Sequence, residues 1–118
     1  MIDGEPMHHR LARLVETLNE GAIGKSGYGL VGGVLGGTIG GLAKDLRDLM
    51  PSAMILMPGL GAQGGESSTV KSVMDENGGG AVVPVSRGIT YLKDKSVNKE
   101  QYLEGLKKNT EHFVRSLD

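Results

Sequence analysis

Two short segments of the sequence carry the residue types that could bind an anionic group. Residues 57–65 form a glycine-rich segment that also offers the amide of Gln63. Residues 85–89 include the guanidinium of Arg87 between a serine and a glycine. Backbone N–H groups, an amide and an arginine are donors that proteins use for phosphate oxygens. The two segments therefore predict a site for a phosphate monoester.

Each of these segments follows an apolar run that predicts a buried strand, residues 53–57 and residues 81–85. A third strand is predicted at residues 28–37, which are apolar on both alternating faces, as in a central parallel strand covered on both sides. Pro84 has no N–H to donate, so the last strand is either bulged there or paired on one side only.

Four helices are predicted around these strands. The first is capped by Asp3, and the residues predicted to face the core are Met7, Leu11, Leu14, Val15 and Leu18. In the second, the residues predicted to face the core are Ile39, Leu42, Leu46 and Leu49. The third is short and is capped by Ser67 or Ser68. The last begins at Asn98 or Ser96, and the residues predicted to face the core are Tyr102, Leu103, Leu106, Phe113 and Leu117. Alternating helices and strands predict an α/β fold with a parallel sheet and right-handed crossovers.

Length and composition exclude several classes of function. The chain has 118 residues, enough for a single domain, residues 1–118, and its formal net charge of -1 predicts no nucleic-acid partner. There is no cysteine, which excludes disulfides and thiolate chemistry. His8 and His9 are adjacent, so on a helix they point about 100° apart and cannot share one metal ion. We predict no metal, no cofactor and no catalytic dyad.

No membrane partner is predicted. Residues 26–43 are uncharged except for their flanks and repeat paired glycines every four residues, a spacing typical of packed membrane helices. The high glycine content of this run disfavours a helix and lowers its hydrophobicity. Charged residues follow Met1 closely, which argues against a signal peptide, and a cytoplasmic protein is expected.

The glycine-rich segment also supports a different interpretation. Residues 59–64 match the dinucleotide fingerprint G-x-G-x-x-G, after a predicted strand and before a predicted helix. An acidic residue is expected after the next strand to bind a ribose hydroxyl, and Arg87 stands there instead, which suits only a 2′-phosphate. A small module for an NADP-type dinucleotide remains an alternative, and so do glycines that only turn the chain.

Taken together, the segments resemble the orotidine 5′-monophosphate decarboxylase family. Family members carry Pro-Gly-x-Gly-Ala-Gln-Gly after the seventh barrel strand, similar to residues 58–65, and a small residue followed by arginine after the eighth, similar to Ser86 and Arg87. Residues 32–38 are similar to the sixth-strand segment Val-Val-Gly-Ala-Thr of the longer-chain branch. The resemblance covers nearly the whole chain, from about Glu5 to the terminal helix.

The resemblance implies a partial (β/α)8 TIM barrel with about three parallel strands, the C-terminal half of a fold of about 250 residues. It implies that Gln63 reaches phosphate and pyrimidine, that Arg87 pairs with the phosphate, and that Ser86 and Gly88 offer backbone N–H groups. The substrate pocket would include Pro58, Gly59 and Gly61. The ligand implied is orotidine or uridine 5′-monophosphate, bound through its phosphate, in pyrimidine biosynthesis.

The resemblance also implies a loss. The family's charged network lies in an Asp-x-Lys-x-x-Asp motif and an earlier lysine, and the motif occurs nowhere in this sequence. We therefore assign no catalytic residue and expect no decarboxylation by the chain alone. A half barrel exposes unpaired strand edges and an apolar inner face, so a homo-oligomer or a complementary half-barrel is expected. A non-enzymatic, oligomerising half-barrel is the remaining alternative.

Overall fold

The computed structural model describes residues 1, 3–61 and 65–118. Helices and strands alternate along the chain as predicted, with one additional short helix after the last strand. The helices are α1 (Met7–Asn19), α2 (Leu42–Leu49), α3 (Ser67–Lys71), α4 (Arg87–Thr90) and α5 (Lys99–Ser116). The strands are β1 (Gly33–Val34), β2 (Ile55–Leu56) and β3 (Ala81–Val82).

The strands form one parallel sheet in the order β1-β2-β3. Gly33 lies opposite Ile55, and Ile55 lies opposite Ala81. The prediction of a parallel α/β arrangement is therefore confirmed. The predicted position of residues 28–37 at the centre of the sheet is wrong, because β2 occupies the centre and β1 lies at an edge.

The helices cover only one face of this sheet. On the covered face, Ile55 and Met57 are fully buried. On the other face, Val34, Leu56 and Val82 lie side by side across the strands and are 68%, 39% and 51% exposed. The expectation that the first strand is covered on both sides is therefore wrong. We call the row of Val34, Leu56 and Val82 the open face.

The dimensions of the molecule agree with a structure built from two layers. Its principal extents are 57 × 34 × 19 Å, and its radius of gyration is 17.0 Å. A compact domain of this length would have a radius of gyration of about 13.5 Å. Since packed layers lie about 10 Å apart, the shortest extent has room for one sheet and one layer of helices.

Helix α1 is less buried than its apolar periodicity predicts. Ala12 and Asn19 are its buried residues, whereas Leu11, Leu14 and Leu18 are 54%, 52% and 55% exposed. Helix α1 packs along α2 at the β1 edge of the sheet, and Leu11, Leu14 and Leu18 line an open cavity between α1 and the β1 region. The apolar stripe continues beyond that contact.

Helix α5 begins as predicted, and its inward side is only partly buried. The Asn98 side chain accepts from the Gln101 backbone N–H, and the Gln101 side chain accepts from the Asn98 backbone N–H, which forms a capping box. Phe113 and Leu117 pack against the core. Leu103, predicted to point inward, is 54% exposed, because the first turns of α5 extend past the sheet toward α4.

Two predicted helix caps are wrong. Helix α1 follows Pro6, and α3 follows Glu66, and neither helix has a side-chain hydrogen bond at its cap. Asp3 instead forms an ion pair with Arg10. Among the described residues, no helix combines the length and the apolar character needed to cross a membrane.

One arginine connects the N-terminal ends of two strands. The half-buried Arg47 guanidinium donates five hydrogen bonds of 2.7–3.2 Å, and their acceptors are the backbone carbonyls of Met50, Pro51, Ala53, Val73 and Gly80. Burial lowers the pKa of Arg47, but an arginine retains its charge at neutral pH. Ala53 lies two residues before β2 and Gly80 one residue before β3, so this side chain fixes where both strands begin.

A buried amide connects the end of α1 to the backbone that precedes β1 and β2. Asn19 is fully buried at the end of the helix and exchanges two hydrogen bonds of 2.9 Å with the backbone of Val31. Its Nδ2 also donates to the Ser52 carbonyl at 3.4 Å. A Cβ atom built on Gly29 would lie 2.1 Å from the Asn19 Oδ1 atom, so Gly29 leaves the space that this amide occupies.

A tyrosine and a carboxylate stand next to Arg47. The Tyr28 hydroxyl donates to Asp75 at 2.5 Å, and the Arg47 guanidinium lies 6.0 Å from the centre of the Tyr28 ring. The hydrogen bond from Tyr28, and then that from the Gly79 N–H, lower the pKa of Asp75. The hydrogen bond to Asp75, and then burial, raise the pKa of Tyr28.

We predict that Arg47→Lys lowers the free energy of unfolding by about 2–4 kcal/mol, because an ammonium keeps the charge but leaves several part-buried carbonyls without a donor. Urea unfolding at one protein concentration, followed by circular dichroism, measures this change. The control is Lys44→Met on the same helix, which breaks only the exposed pair with Asp48 and should change stability by less than about 1 kcal/mol. Equal losses in the two variants would contradict the role of Arg47.

We predict that the Tyr28–Asp75 contact stabilises the fold only between acid and alkaline limits. The lowered pKa of Asp75 contributes stability above about pH 4, and this is lost as the pH falls through the folded pKa. The raised pKa of Tyr28 contributes stability below about pH 10, and this is lost as the pH rises through its folded pKa. The gap in urea midpoint between the wild type and Tyr28→Phe should be largest near neutral pH. A gap that is constant down to about pH 2 would contradict this.

Candidate functional site

The loops that follow β2 and β3 meet at the end of the sheet where the strands have their C-terminal ends. Because both strands are parallel, their C-terminal ends lie at the same edge. A cavity of about 360 Å³ lies between the two loops, and residues 58–60 and 84–88 line it. We call the first loop, residues 58–61 and 65, the glycine turn, and the second, residues 84–88, the Arg87 turn.

The glycine turn is closed by its own backbone. The Gly65 N–H donates to the Gly59 carbonyl at 3.0 Å, and the Gly61 N–H donates to the Gly65 carbonyl at 3.2 Å. Gly59 and Gly61 have φ angles of 101° and 74°, which favour glycine. A Cβ atom built on Gly65 would lie 2.5 Å from the Gly59 carbonyl oxygen. Three of the glycines therefore determine the shape of this turn.

The glycine turn is also fixed to the rest of the sheet. Leu60 is only 7% exposed and belongs to the core. The Gly37 N–H, just after β1, donates to the Pro58 carbonyl at 2.7 Å. The turn is thus held by the burial of Leu60 in the core and by one hydrogen bond to the residues after β1.

The Arg87 turn presents donors at the start of α4. The Ser86 carbonyl accepts from the N–H groups of Ile89 and Thr90 and from the Thr90 hydroxyl, which orders the turn. Within the described residues, the N–H groups of Arg87 and Gly88 have no hydrogen-bond acceptor. The Arg87 side chain is exposed, and no described carboxylate pairs with it. An anion in the cavity could accept from all of these groups.

The structure brings most of the predicted site residues together. Pro58 and Gly59 line the cavity from one side, and Ser86, Arg87 and Gly88 line it from the other. Gly61 does not line the cavity, and a Cβ atom built on it would meet the ring of Phe113 at 3.0 Å. The predicted phosphate and pyrimidine contact, Gln63, lies outside the described residues.

Sequence reasoning missed two features of this site. Helix α4 has only four residues, too few to show a helical periodicity. Phe113 was predicted only as a core residue, although its ring also contacts both turns. Among the described residues, no group of three His, Asp or Glu side chains could hold a metal ion.

Comparison with known proteins gives the arrangement a family context. No protein-family model matches the chain. The chain is 43% identical over 90 residues to an orotidine 5′-phosphate decarboxylase from Rhodopirellula baltica, covering 76% of this chain and 30% of that protein. It is 34% identical over 100 residues to the enzyme of the same name from Caldicellulosiruptor bescii, covering 85% and 33%. The chain is homologous to orotidine 5′-phosphate decarboxylases. It spans about a third of the length of these curated relatives.

Solved structures agree with this homology. A crystal structure from Toxoplasma gondii, described as an orotidine-monophosphate decarboxylase, matches 97% of this chain and 45% of its own, with a TM-score of 0.67 and 25% identity. A UMP synthase from Leishmania donovani has the same fold over 93% of this chain and 23% of its own, with a TM-score of 0.64 and 23% identity. These matches confirm the prediction of a partial TIM barrel.

Proposed function

We propose that this chain is the C-terminal, phosphate-binding part of an orotidine 5′-phosphate decarboxylase barrel, with residues 1–118 as one structural unit. The observation that carries the proposal is the cavity between the glycine turn and the Arg87 turn, which contains an exposed guanidinium and backbone donors. By the resemblance, β1, β2 and β3 correspond to the sixth, seventh and eighth barrel strands.

Within this proposal, the phosphate of orotidine or uridine 5′-monophosphate lies between the two turns. Arg87 supplies a charged, bidentate donor, and the N–H groups of Ser86 and Gly88 lie along the same side. Gln63 is proposed to reach the phosphate and the pyrimidine from the glycine turn, whose Pro58, Gly59 and Gly61 shape the pocket. In a complete barrel, such binding of the non-reacting phosphate contributes to the rate when its energy is realised in the transition state.

The chain alone is proposed not to decarboxylate. Expelling carboxylate and protonating the resulting carbanion requires, by the resemblance, a network of lysine and aspartate. The Asp-x-Lys-x-x-Asp motif that would supply it is absent from this sequence. The activity therefore requires residues from elsewhere in a barrel. The cytoplasmic location stays a prediction.

The dinucleotide alternative has less support in the geometry. A dinucleotide site needs a helix N-terminus directly after the glycines, where backbone N–H groups meet the pyrophosphate. Here α3 has only five residues, and its N-cap is Glu66, whose carboxylate would repel a pyrophosphate. No feature of the described residues favours a dinucleotide over a nucleoside monophosphate.

Self-association is the second part of the proposal. The open face carries three apolar side chains in register across the sheet, each at least 39% exposed. Both edge strands, β1 and β3, lack a further strand partner among the described residues. In a complete barrel this face would be interior, and in the isolated chain a second copy would cover it.

We predict that the wild type binds uridine 5′-monophosphate weakly but about tenfold or more tightly than uridine, because only the nucleotide offers a phosphate to Arg87. Arg87→Ala should lose that preference, as measured by NMR titration. The matched control is Arg115→Ala, which removes an exposed arginine from α5 and should leave binding unchanged. Tighter binding of NADPH than of the monophosphate would overturn this proposal and support the dinucleotide module.

We predict that the wild type forms dimers or larger oligomers at micromolar concentration, and that Val34→Asp yields a folded monomer. Val34 is 68% exposed, so a carboxylate there costs little in the monomer but is unfavourable in a buried interface. Light scattering measures the mass, and circular dichroism reports folding. Leu103→Asp, at a similarly exposed position on α5, is the control that should still associate. A well-folded wild-type monomer would contradict self-association.

A further inference from the structure

The glycine turn and the Arg87 turn contact the same aromatic ring. A Cβ atom built on Gly61 would lie 3.0 Å from the Cε1 atom of Phe113. A Cβ atom built on Gly88 would lie 2.6 Å from Cζ and 2.7 Å from Cε2 of the same ring. Both turns therefore place a residue without a side chain against Phe113, and the ring occupies the space that two methyl groups would need.

Helix α5 holds this ring in a fixed position relative to α4. The Asn109 Nδ2 atom donates to the Ile89 carbonyl at 2.9 Å, and the Tyr102 hydroxyl donates to the Thr90 carbonyl at 3.1 Å. Residues 102, 109 and 113 are separated by seven and four positions, so they lie on one side of the helix. The side of α5 that carries Phe113 is thus hydrogen-bonded to the end of α4.

Phe113 does not itself line the cavity between the turns. It lines an adjacent apolar cavity, together with Leu60 and Val85. Leu60 and Val85 line both cavities, one residue from each turn. Any influence of Phe113 on a ligand must therefore pass through residues of the two turns.

We propose that Phe113 is a positioning residue whose ring sets the spacing between the glycine turn and the Arg87 turn. An aromatic ring has few rotatable bonds and a rigid outline, so it fixes a distance better than an aliphatic side chain does. The consequence for a phosphate monoester rests on the function proposed above, because the donors on the two turns can bind one phosphate only at the right separation.

The experiment compares Phe113→Leu, Gly88→Ala and the double variant. Alanine is favoured over glycine within a helix, and Gly88 lies in α4 without a positive φ angle, so the backbone does not oppose Gly88→Ala. The new Cβ atom would lie 2.6 Å from the Phe113 ring and 3.2 Å from the Val85 Cγ1 atom, and the double variant isolates the part of the effect that comes from the ring. Leucine lacks the outer ring atoms that the new methyl group would meet. Each single change should weaken binding of uridine 5′-monophosphate several-fold, and the double variant should bind about tenfold more tightly than additive effects allow.

A readout without ligand separates this inference from the proposed function. Among the described residues, the atoms within 4 Å of a Cβ built on Gly61 belong to Phe113, so the ring current of Phe113 acts directly on the Gly61 signals. Gly88→Ala should push the ring and shift the NMR signals of Gly61 in the other turn. In the Phe113→Leu background, the same substitution should leave Gly61 unchanged.

Each outcome decides one of the two ideas. If the wild type does not bind the monophosphate but Gly61 responds to Gly88→Ala only when Phe113 is present, the proposed function fails and the positioning role stands. If Gly61 does not respond, or if the double variant is simply additive, the positioning role is overturned. Leu103→Ala, an exposed truncation on the same helix, is the control that should change neither binding nor the Gly61 signals.

Discussion

The candidate site depends on the Arg47 guanidinium at the opposite end of the sheet. The strands pair over two residues each, and backbone hydrogen bonds beside them extend the pairing, among them Ile55 N–H to the Gly80 carbonyl and Met57 N–H to the Val82 carbonyl. Arg47 binds the carbonyls of Ala53 and Gly80 together and fixes the beginnings of β2 and β3. Neighbouring strands lie about 4.8 Å apart along their length. Once their beginnings are fixed, the turns that follow them must also lie close together.

The two ends of the sheet are stabilised by different means. At the N-terminal end, the side chains of Arg47 and Asn19 bind backbone groups, and Tyr28 and Asp75 are joined by a hydrogen bond between their side chains. At the C-terminal end, the glycine turn is closed by its own backbone and leaves its outer surface to the cavity. This division places the stabilising side-chain contacts and the candidate site at opposite ends of the sheet, which is the usual arrangement in TIM barrels.

The sequence predicted where the two turns lie because strand ends are local features. The glycine turn and the Arg87 turn each follow an apolar run, and parallel strands bring such ends to one edge. Burial was predicted less well, since periodicity shows that Leu14 or Val34 is apolar but not whether a covering layer is present. The contact between Phe113 and Gly88 depends on the angle at which α5 packs, which no local pattern encodes. The place of Gln63 in the site stays a prediction.

The number of strands limits how copies of this chain could assemble. Among the described residues the free edges belong to β1 and β3, so continuing the parallel sheet from one copy to the next joins β3 to β1, head to tail, whereas β1 against β1 gives a closed antiparallel pair. The described part of each copy contributes three strands, and no whole number of copies gives the eight strands of a closed barrel. Identical chains that continue the parallel sheet therefore make either a ring of another size or an open fibre. Only a partner with a different strand count could restore the barrel.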